Sequence, residues 1–231
     1  MPYDTLCQRL QQLRKEIARC AAEAERTADW VGLIAVSKTH PVEAIRMAYH
    51  CGQRAFGENY ARELGDKVAQ LADLDLEWHY IGPIQRNKTR SIAANAAWVH
   101  GIDRFEVASR LAAQRPAELP PLQVCLQVNL DAEPSKAGIA PRELAGLAQA
   151  VAQLDPTRLR LRGLMCIPRP QVDPVAQRLA FAALRECRAT LRREGLALDT
   201  LSMGMSDDYC AAIAEGATLI RIGTAIFGTR R

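Results

Sequence analysis

Leu6, Leu10, Leu13 and Ile17 fall at spacings of four and three. That spacing puts them on one face of an amphipathic helix, roughly Thr5 to Arg26. Beyond it the pattern changes to short apolar runs of strand length: Val31–Val36, Ala55–Gly57, Glu77–Ile81, Trp98–Ile102, Leu122–Val128, Leu159–Met165, Thr200–Ser202 and Thr218–Ile222. Helical patterns separate them, near Pro41–Cys51, Tyr60–Leu71, Arg86–Ala94, Arg104–Gln114, Pro141–Gln153, Pro174–Glu194 and Asp207–Gly216. Eight strands alternating with helices imply an α/β fold, a single (β/α)8 barrel of TIM type with an extra N-terminal helix. On this reading residues 1–231 form one barrel domain, with residues 1–28 as a helix packed on it. An open doubly wound sheet is the runner-up.

Local chemistry marks several boundaries. Pro41, Pro141 and Pro174 sit where a first-turn proline costs no hydrogen bond. Asp207 and Asp208 are placed to open the last long helix, where carboxylates complement the helix dipole. Pro116, Pro120 and Pro121 read as a helix-to-strand loop and not as a domain boundary. No Gly/Ser-rich linker, low-complexity tract or internal repeat interrupts the chain.

Composition narrows the class. With 48% hydrophobic and 24% charged residues, the 231-residue chain can bury a core and stay soluble. The net charge of +4 comes from 30 basic residues spread among 26 acidic ones, so no nucleic-acid face is required. No run approaches the roughly 18 apolar residues of a membrane span, and Met1 to Arg19 lacks the apolar region of a signal peptide. The seven cysteines are odd in number and scattered, without a CxxC pair. They read as free thiols of a reducing, cytoplasmic compartment, and a metal site is not indicated.

The candidate chemistry gathers at strand ends, where barrels of this type place their active groups. Lys38 follows the first strand as a candidate amine nucleophile. A desolvated lysine can be neutral near physiological pH and form a Schiff base with a carbonyl. Taken alone it reads as a solvated strand-end lysine. Two glycine-bearing turns change that balance: Ser202-Met203-Gly204-Met205-Ser206 after the seventh strand, and Arg221-Ile222-Gly223-Thr224 at the eighth. Glycines let backbone N–H groups approach an anion, and Ser206 directly precedes a helix start. The two aspartates that follow would repel a phosphate unless they point away. Together the three segments suggest a phosphorylated carbonyl compound held at one mouth of the barrel.

Other strand ends are more polar than packing needs. Phe56-Gly57-Glu58-Asn59-Tyr60 closes the second strand, Trp78-His79-Tyr80-Ile81-Gly82 the third, and Arg162-Gly163-Leu164-Met165-Cys166 the sixth. His79 reads first as a satisfied interior histidine and second as a ligand contact. Met165 reads as core, or as a side chain lying against a flat ring. Cys166 has no base beside it and reads as a buried thiol. Lys136, in Ser135-Lys136-Ala137-Gly138, reads as a loop lysine able to meet an anion.

These segments, together with Val36-Ser37-Lys38-Thr39, stand in the order and spacing of the pyridoxal phosphate homeostasis protein family, also called the proline synthetase co-transcribed family. The chain resembles that family from the first strand to its C-terminal residues. The resemblance implies a barrel like the N-terminal domain of alanine racemase, with pyridoxal 5'-phosphate (PLP) bound as an aldimine to Lys38. It implies phosphate contacts from Ser206, Gly223 and Thr224, and Arg221 facing the pyridine nitrogen. Asn59, His79 and Met165 fall on strand ends of the same pocket. It further implies control of free PLP without established turnover, with PLP-dependent apoenzymes as candidate partners. Many members carry a second lysine two positions after the first; here His40 stands there.

Three functions are weighed. The first is a PLP carrier, buffer or regulator, expected as a monomer without nucleic-acid or membrane partners. The second is a PLP-dependent enzyme such as an amino-acid racemase, which uses a further β-rich domain and a partner subunit to close its site. The chain ends soon after the proposed phosphate turn, so the carrier is favoured, since a one-sided site leaves the Schiff base wet. The third is an aldolase-type barrel acting on a sugar phosphate, which would be colourless where the PLP readings predict a yellow protein.

Overall fold

The computed structural model describes residues 3–131 and 137–228. Eight parallel strands close on themselves in sequence order. They are β1 Gly32–Val36, β2 Ala55–Glu58, β3 Glu77–Tyr80, β4 Trp98–Ile102, β5 Leu122–Gln127, β6 Leu159–Met165, β7 Thr200–Ser202 and β8 Leu219–Ile222. Each lies within a residue of its apolar run. Gly32 to Ala35 of β1 pair with Leu219 to Ile222 of β8, which closes the ring. The doubly wound alternative is excluded, because it requires two edge strands and this sheet has none.

The outer helices are α1 Tyr3–Glu23, α2 Val42–His50, α3 Ala61–Gln70, α4 Thr89–Asn95, α5 Phe105–Gln114, α6 Leu144–Ala152, α7 Pro174–Arg193, α8 Tyr209–Ala214 and α9 Thr224–Phe227. α1 buries Leu6, Leu10, Leu13 and Ile17 and packs on α2, α8 and α9. It stops earlier than its periodicity suggests, because the chain turns at Glu25 into the left-handed region, φ 54°. At α7 the boundary chemistry holds as expected: Pro174 is the first helical residue, and Asp173 accepts from the backbone N–H groups of Val175 and Ala176. No described helix is long and apolar enough to cross a membrane.

Three boundary readings need correction. Pro41 is a cap residue in extended conformation, so α2 begins only at Val42. Asp207 and Asp208 precede α8 instead of opening it, because Asp208 turns its carboxylate back to the Met205 N–H at 2.6 Å. The Arg86–Ala94 pattern splits into a 3-10 turn, Arg86–Lys88, followed by α4. One helix, α9, had no sequence signal, since four residues are too few to show a period.

Close approach fixes two glycines. A Cβ on Gly163 would lie 1.9 Å from the Thr200 carbonyl oxygen, so only glycine lets β6 and β7 pair there. Gly204 takes φ +96°, the left-handed region, where the chain leaves β7 toward α8.

The cysteines also depart from expectation. Cys7 bridges to Cys51 beyond α2, and Cys20 bridges to Cys210 in α8, each pair with Cα atoms 5.3 Å apart. The partners stand 44 and 190 residues apart in sequence, so spacing carried no sign of them. Both pairs follow from the docking of α1, and the thiol argument for a reducing compartment falls with them. Cys125, Cys166 and Cys187 remain free. Each bridge restrains the unfolded chain and is expected to contribute about 2–4 kcal/mol. Reductant should therefore lower the urea midpoint, and Cys20→Ser should reproduce part of that loss. A midpoint indifferent to reductant, with every cysteine titrating as a thiol in denaturant, would contradict the pairing.

Candidate functional site

The C-terminal end of the barrel collects most of the candidate residues. Lys38 sits in a turn just beyond β1, half-buried. Asn59 follows β2, Met165 ends β6, Ser206 lies between β7 and α8, Arg221 is in β8, and Gly223 with Thr224 comes directly after it. Met165 and Arg221 are buried. The side-chain oxygen of Asn59 is buried with no hydrogen-bond partner. Such an atom carries a desolvation cost that an incoming donor can relieve.

Arg221 organises the floor of this mouth. Its guanidinium donates to Ser202 Oγ at 2.7 Å and to the Cys166 carbonyl at 2.9 Å. No carboxylate lies within ion-pair distance of it among the described residues, so it is not the partner of a surface acid. Burial pulls its pKa below the ordinary arginine value. From Ser202 a line of hydrogen bonds runs down the barrel interior: to His100 Nδ1 at 2.8 Å, from His100 Nε2 to His79 Nδ1 at 3.0 Å, and from His79 Nε2 to Glu77 at 2.8 Å. Arginine can only donate and an ionised carboxylate can only accept. Because Glu77 can only accept, neutral imidazoles satisfy every link in one way, with the protons on Nε2 and the Ser202 O–H donating to His100 Nδ1. Burial first, then His79 and Arg221, hold His100 well below the usual histidine range. The hydrogen bond from His79 is the main influence holding the Glu77 carboxyl low.

The phosphate-like turns are held from several sides. The Arg221 N–H bonds the Gly204 carbonyl at 3.0 Å, tying β8 to the loop that carries Ser206. A Cβ on Gly223 would stand 3.2 Å from the Val36 carbonyl oxygen, so this turn runs hard against β1. His40, two residues past Lys38, stacks on Phe227 of α9 with ring centroids 4.9 Å apart. His40 is thus an aromatic clip between the Lys38 turn and α9. Asp208 accepts from the Met205 N–H at 2.6 Å, so one of its oxygens is held by the loop that carries Ser206.

One candidate changes role and one is not described. His79 is fully buried with both ring nitrogens engaged, so no polar atom remains for a ligand and it acts only through His100 and Ser202. Lys136 lies outside the described residues. Burial pushes the Cys125 and Cys166 thiols up to about 12, which suits inert core residues.

Sequence reasoning missed His100, Glu63 and Lys67. Lys67 is buried and donates to the Ser37 carbonyl at 2.8 Å, to Glu58 at 2.8 Å and to Glu63 at 2.7 Å. Glu58 also accepts from Ser37 Oγ at 2.6 Å. The i,i+4 spacing of Glu63 and Lys67 was a visible signal, but it ordinarily marks a solvated helix pair. His100 lies in a strand pattern two residues after Trp98, and only barrel closure shows that it faces His79.

Comparison with known proteins agrees with this fold. The family described as alanine racemase, N-terminal domain, matches residues 9–231. The chain is 56% identical over 226 residues to the pyridoxal phosphate homeostasis protein of Pseudomonas aeruginosa, covering 98% of this chain and 96% of that one. It is 50% identical over 224 residues to the Escherichia coli protein of the same name, covering 96% and 95%. Among solved structures, PipY of Synechococcus elongatus with PLP bound superposes with a TM-score of 0.84 at 39% identity, over 96% of this chain and 100% of that one. Alanine racemase of Corynebacterium glutamicum shares the fold, with a TM-score of 0.71 at 17% identity over 99% of this chain and 62% of that one.

The buried His100 sets an acid limit. Its folded pKa lies below the unfolded value, so the unfolded chain takes up more protons as pH falls below about 6.5. Stability contributed by neutral His100 is present above that pH and is lost on acidification. The thermal midpoint should fall from about pH 7.5 to 5.5 in the wild type and fall less steeply in His100→Gln. Parallel slopes in the two proteins would assign the titration to another group.

Proposed function

Because this chain belongs to the alanine racemase N-terminal domain family and, within it, to the pyridoxal phosphate homeostasis proteins, we propose that its barrel mouth binds PLP through a Schiff base on Lys38. The observation that carries this reading is Arg221: a buried guanidinium without a carboxylate, on the floor of a mouth whose rim bears Lys38 and two glycine turns. The residues present fit the group. The phosphate is assigned to Ser206 and the backbone of Gly223 and Thr224, the ring to the face of Met165, and the pyridine nitrogen to Arg221. Arginine has no acceptor, so it keeps a ring nitrogen unprotonated, whereas a carboxylate would favour the pyridinium form that serves as an electron sink. Asn59 Oδ1 is assigned to a donor on the ligand.

The proposed role is cofactor handling: carrier, buffer or regulator, with PLP-dependent apoenzymes as recipients and the chain acting as a monomer. Two observations favour it over an amino-acid racemase. Relatives that match nearly end to end are named homeostasis proteins. Within the described site, neither the high-pKa thiols nor the fully engaged His100 is set up as the base an enzyme needs. The cytoplasm is the proposed compartment. Thiol trapping in intact cells that found Cys20 and Cys210 bridged in most copies would argue for another.

Borohydride treatment of the PLP-loaded protein, followed by peptide mapping, should place the pyridoxyl group on Lys38. A label mainly on Lys136 would overturn the assignment. The same loaded protein should racemise L-alanine no faster than free PLP, and turnover of roughly 1 per second would establish the enzyme reading instead.

A hydrogen bond to a charged group is worth about 1.5–3 kcal/mol. Ser206→Ala should accordingly weaken PLP binding about tenfold or more. Equal affinity in wild type and variant would remove Ser206 from the anchor.

A further inference from the structure

Thr39 is a β-branched residue with φ 65°, a left-handed conformation that such residues rarely adopt. It stands directly after Lys38. Strain of this kind persists only where the surroundings impose it. Here they do, from both sides of the lysine. The Thr39 N–H donates to Glu63 Oε1 at 2.6 Å. On the other side, the Ser37 hydroxyl donates to Glu58 at 2.6 Å and the Ser37 carbonyl accepts from Lys67 at 2.8 Å. Lys67 also donates to both carboxylates, so all three of its ammonium protons are used in one cluster.

We propose that Glu58, Glu63 and Lys67 form a lock that holds the Lys38 turn in its strained shape, making Glu63 and Lys67 positioning residues for imine formation at Lys38. The proposal rests on the reading of Lys38 as the Schiff-base lysine. The lock joins the turn after β1 to the end of β2 and to α3, so it fixes the lysine backbone relative to the barrel and not merely within its own loop. Burial raises the Glu58 carboxyl above its ordinary pKa despite Lys67 and Ser37. Without Lys67, then, Glu58 can take up a proton instead of remaining a lone buried charge. Glu63 and Lys67 also line a surface groove of about 630 Å³, so truncating Glu63 opens a space to water and leaves no sealed cavity. Both features allow the variants to fold.

The test uses Glu63→Ala, Lys67→Met and the conservative Glu63→Gln, which keeps an acceptor for the Thr39 amide. In the ligand-free protein, Thr39 amide exchange followed by NMR should quicken about tenfold or more in Glu63→Ala and much less in Glu63→Gln. On mixing with PLP, the Schiff-base band should grow about tenfold more slowly in Glu63→Ala and Lys67→Met, with Glu63→Gln restoring most of the rate. Affinity for pyridoxamine 5'-phosphate, which has no aldehyde, should stay within about twofold of wild type. Unchanged Thr39 exchange and an unchanged imine rate would overturn the lock. A parallel loss of pyridoxamine 5'-phosphate affinity would overturn it too, by showing general damage to the mouth. If wild-type borohydride mapping fails to label Lys38, the binding reading fails separately, and the exchange result alone decides whether the lock exists.

Discussion

A guanidinium inside a protein needs every donor it can place, because water no longer solvates its charge. Arg221 has no carboxylate at ion-pair distance among the described residues and relies on a serine hydroxyl and a main-chain carbonyl. That constraint propagates. Ser202 accepts from Arg221 and donates its O–H to His100 Nδ1, an imidazole that burial keeps neutral. His100 passes the next proton to His79, and the line ends at the half-exposed carboxylate of Glu77 at the opposite end of the barrel. The interior of a (β/α)8 barrel is usually filled by branched apolar layers. Here a file of polar side chains replaces part of that filling, and its direction is set by the one member that cannot donate, the Glu77 carboxylate.

The same argument explains why the mouth suits an acceptor ligand. The two carbonyl and hydroxyl oxygens that meet Arg221 leave further guanidinium hydrogens, and these are worth most to a group that brings a lone pair. Around it, the rim is assembled by barrel closure and not by local sequence. Pairing of β1 with β8 brings Val36, the end of β1, against Gly223, and His40 stacking on Phe227 joins the Lys38 turn to α9 outside the sheet. α1 then packs on both α8 and α9, the helices that follow the Ser206 and Gly223 turns, with the Cys20–Cys210 bridge across the first contact. A helix that looks peripheral in sequence thus backs both turns proposed to hold the phosphate.

Lys38 and Lys67 show how environment separates two lysines of one mouth. Lys67 spends its protons within a buried cluster and remains a structural cation. Lys38 stands on a strained turn that the cluster holds. Strain next to a candidate nucleophile has a use: it fixes where the amine can reach before any ligand arrives, and so removes part of the entropic barrier to bond formation.

The sequence by itself determined the strands, most of the helices and the set of residues at strand ends. Apolar runs and helical periods are local, and a barrel of this kind places each strand's C-terminal end on one face, so Lys38, Asn59, Met165, Ser206, Arg221, Gly223 and Thr224 are gathered there by the strand order alone. Tertiary structure alone decided what those residues do to one another. Asn59 is an acceptor without a donor and His79 is withdrawn from the mouth because both depend on which atoms meet across the barrel. His100, Glu63 and Lys67 enter for the same reason: their partners lie on other elements, or in a cluster that a surface helix pair does not announce. The cysteine pairs are the plainest case, since a separation of 190 residues becomes a bond only when α1 docks. Periodicity reports how each segment meets solvent and core, whereas polar partnership is a property of the closed barrel.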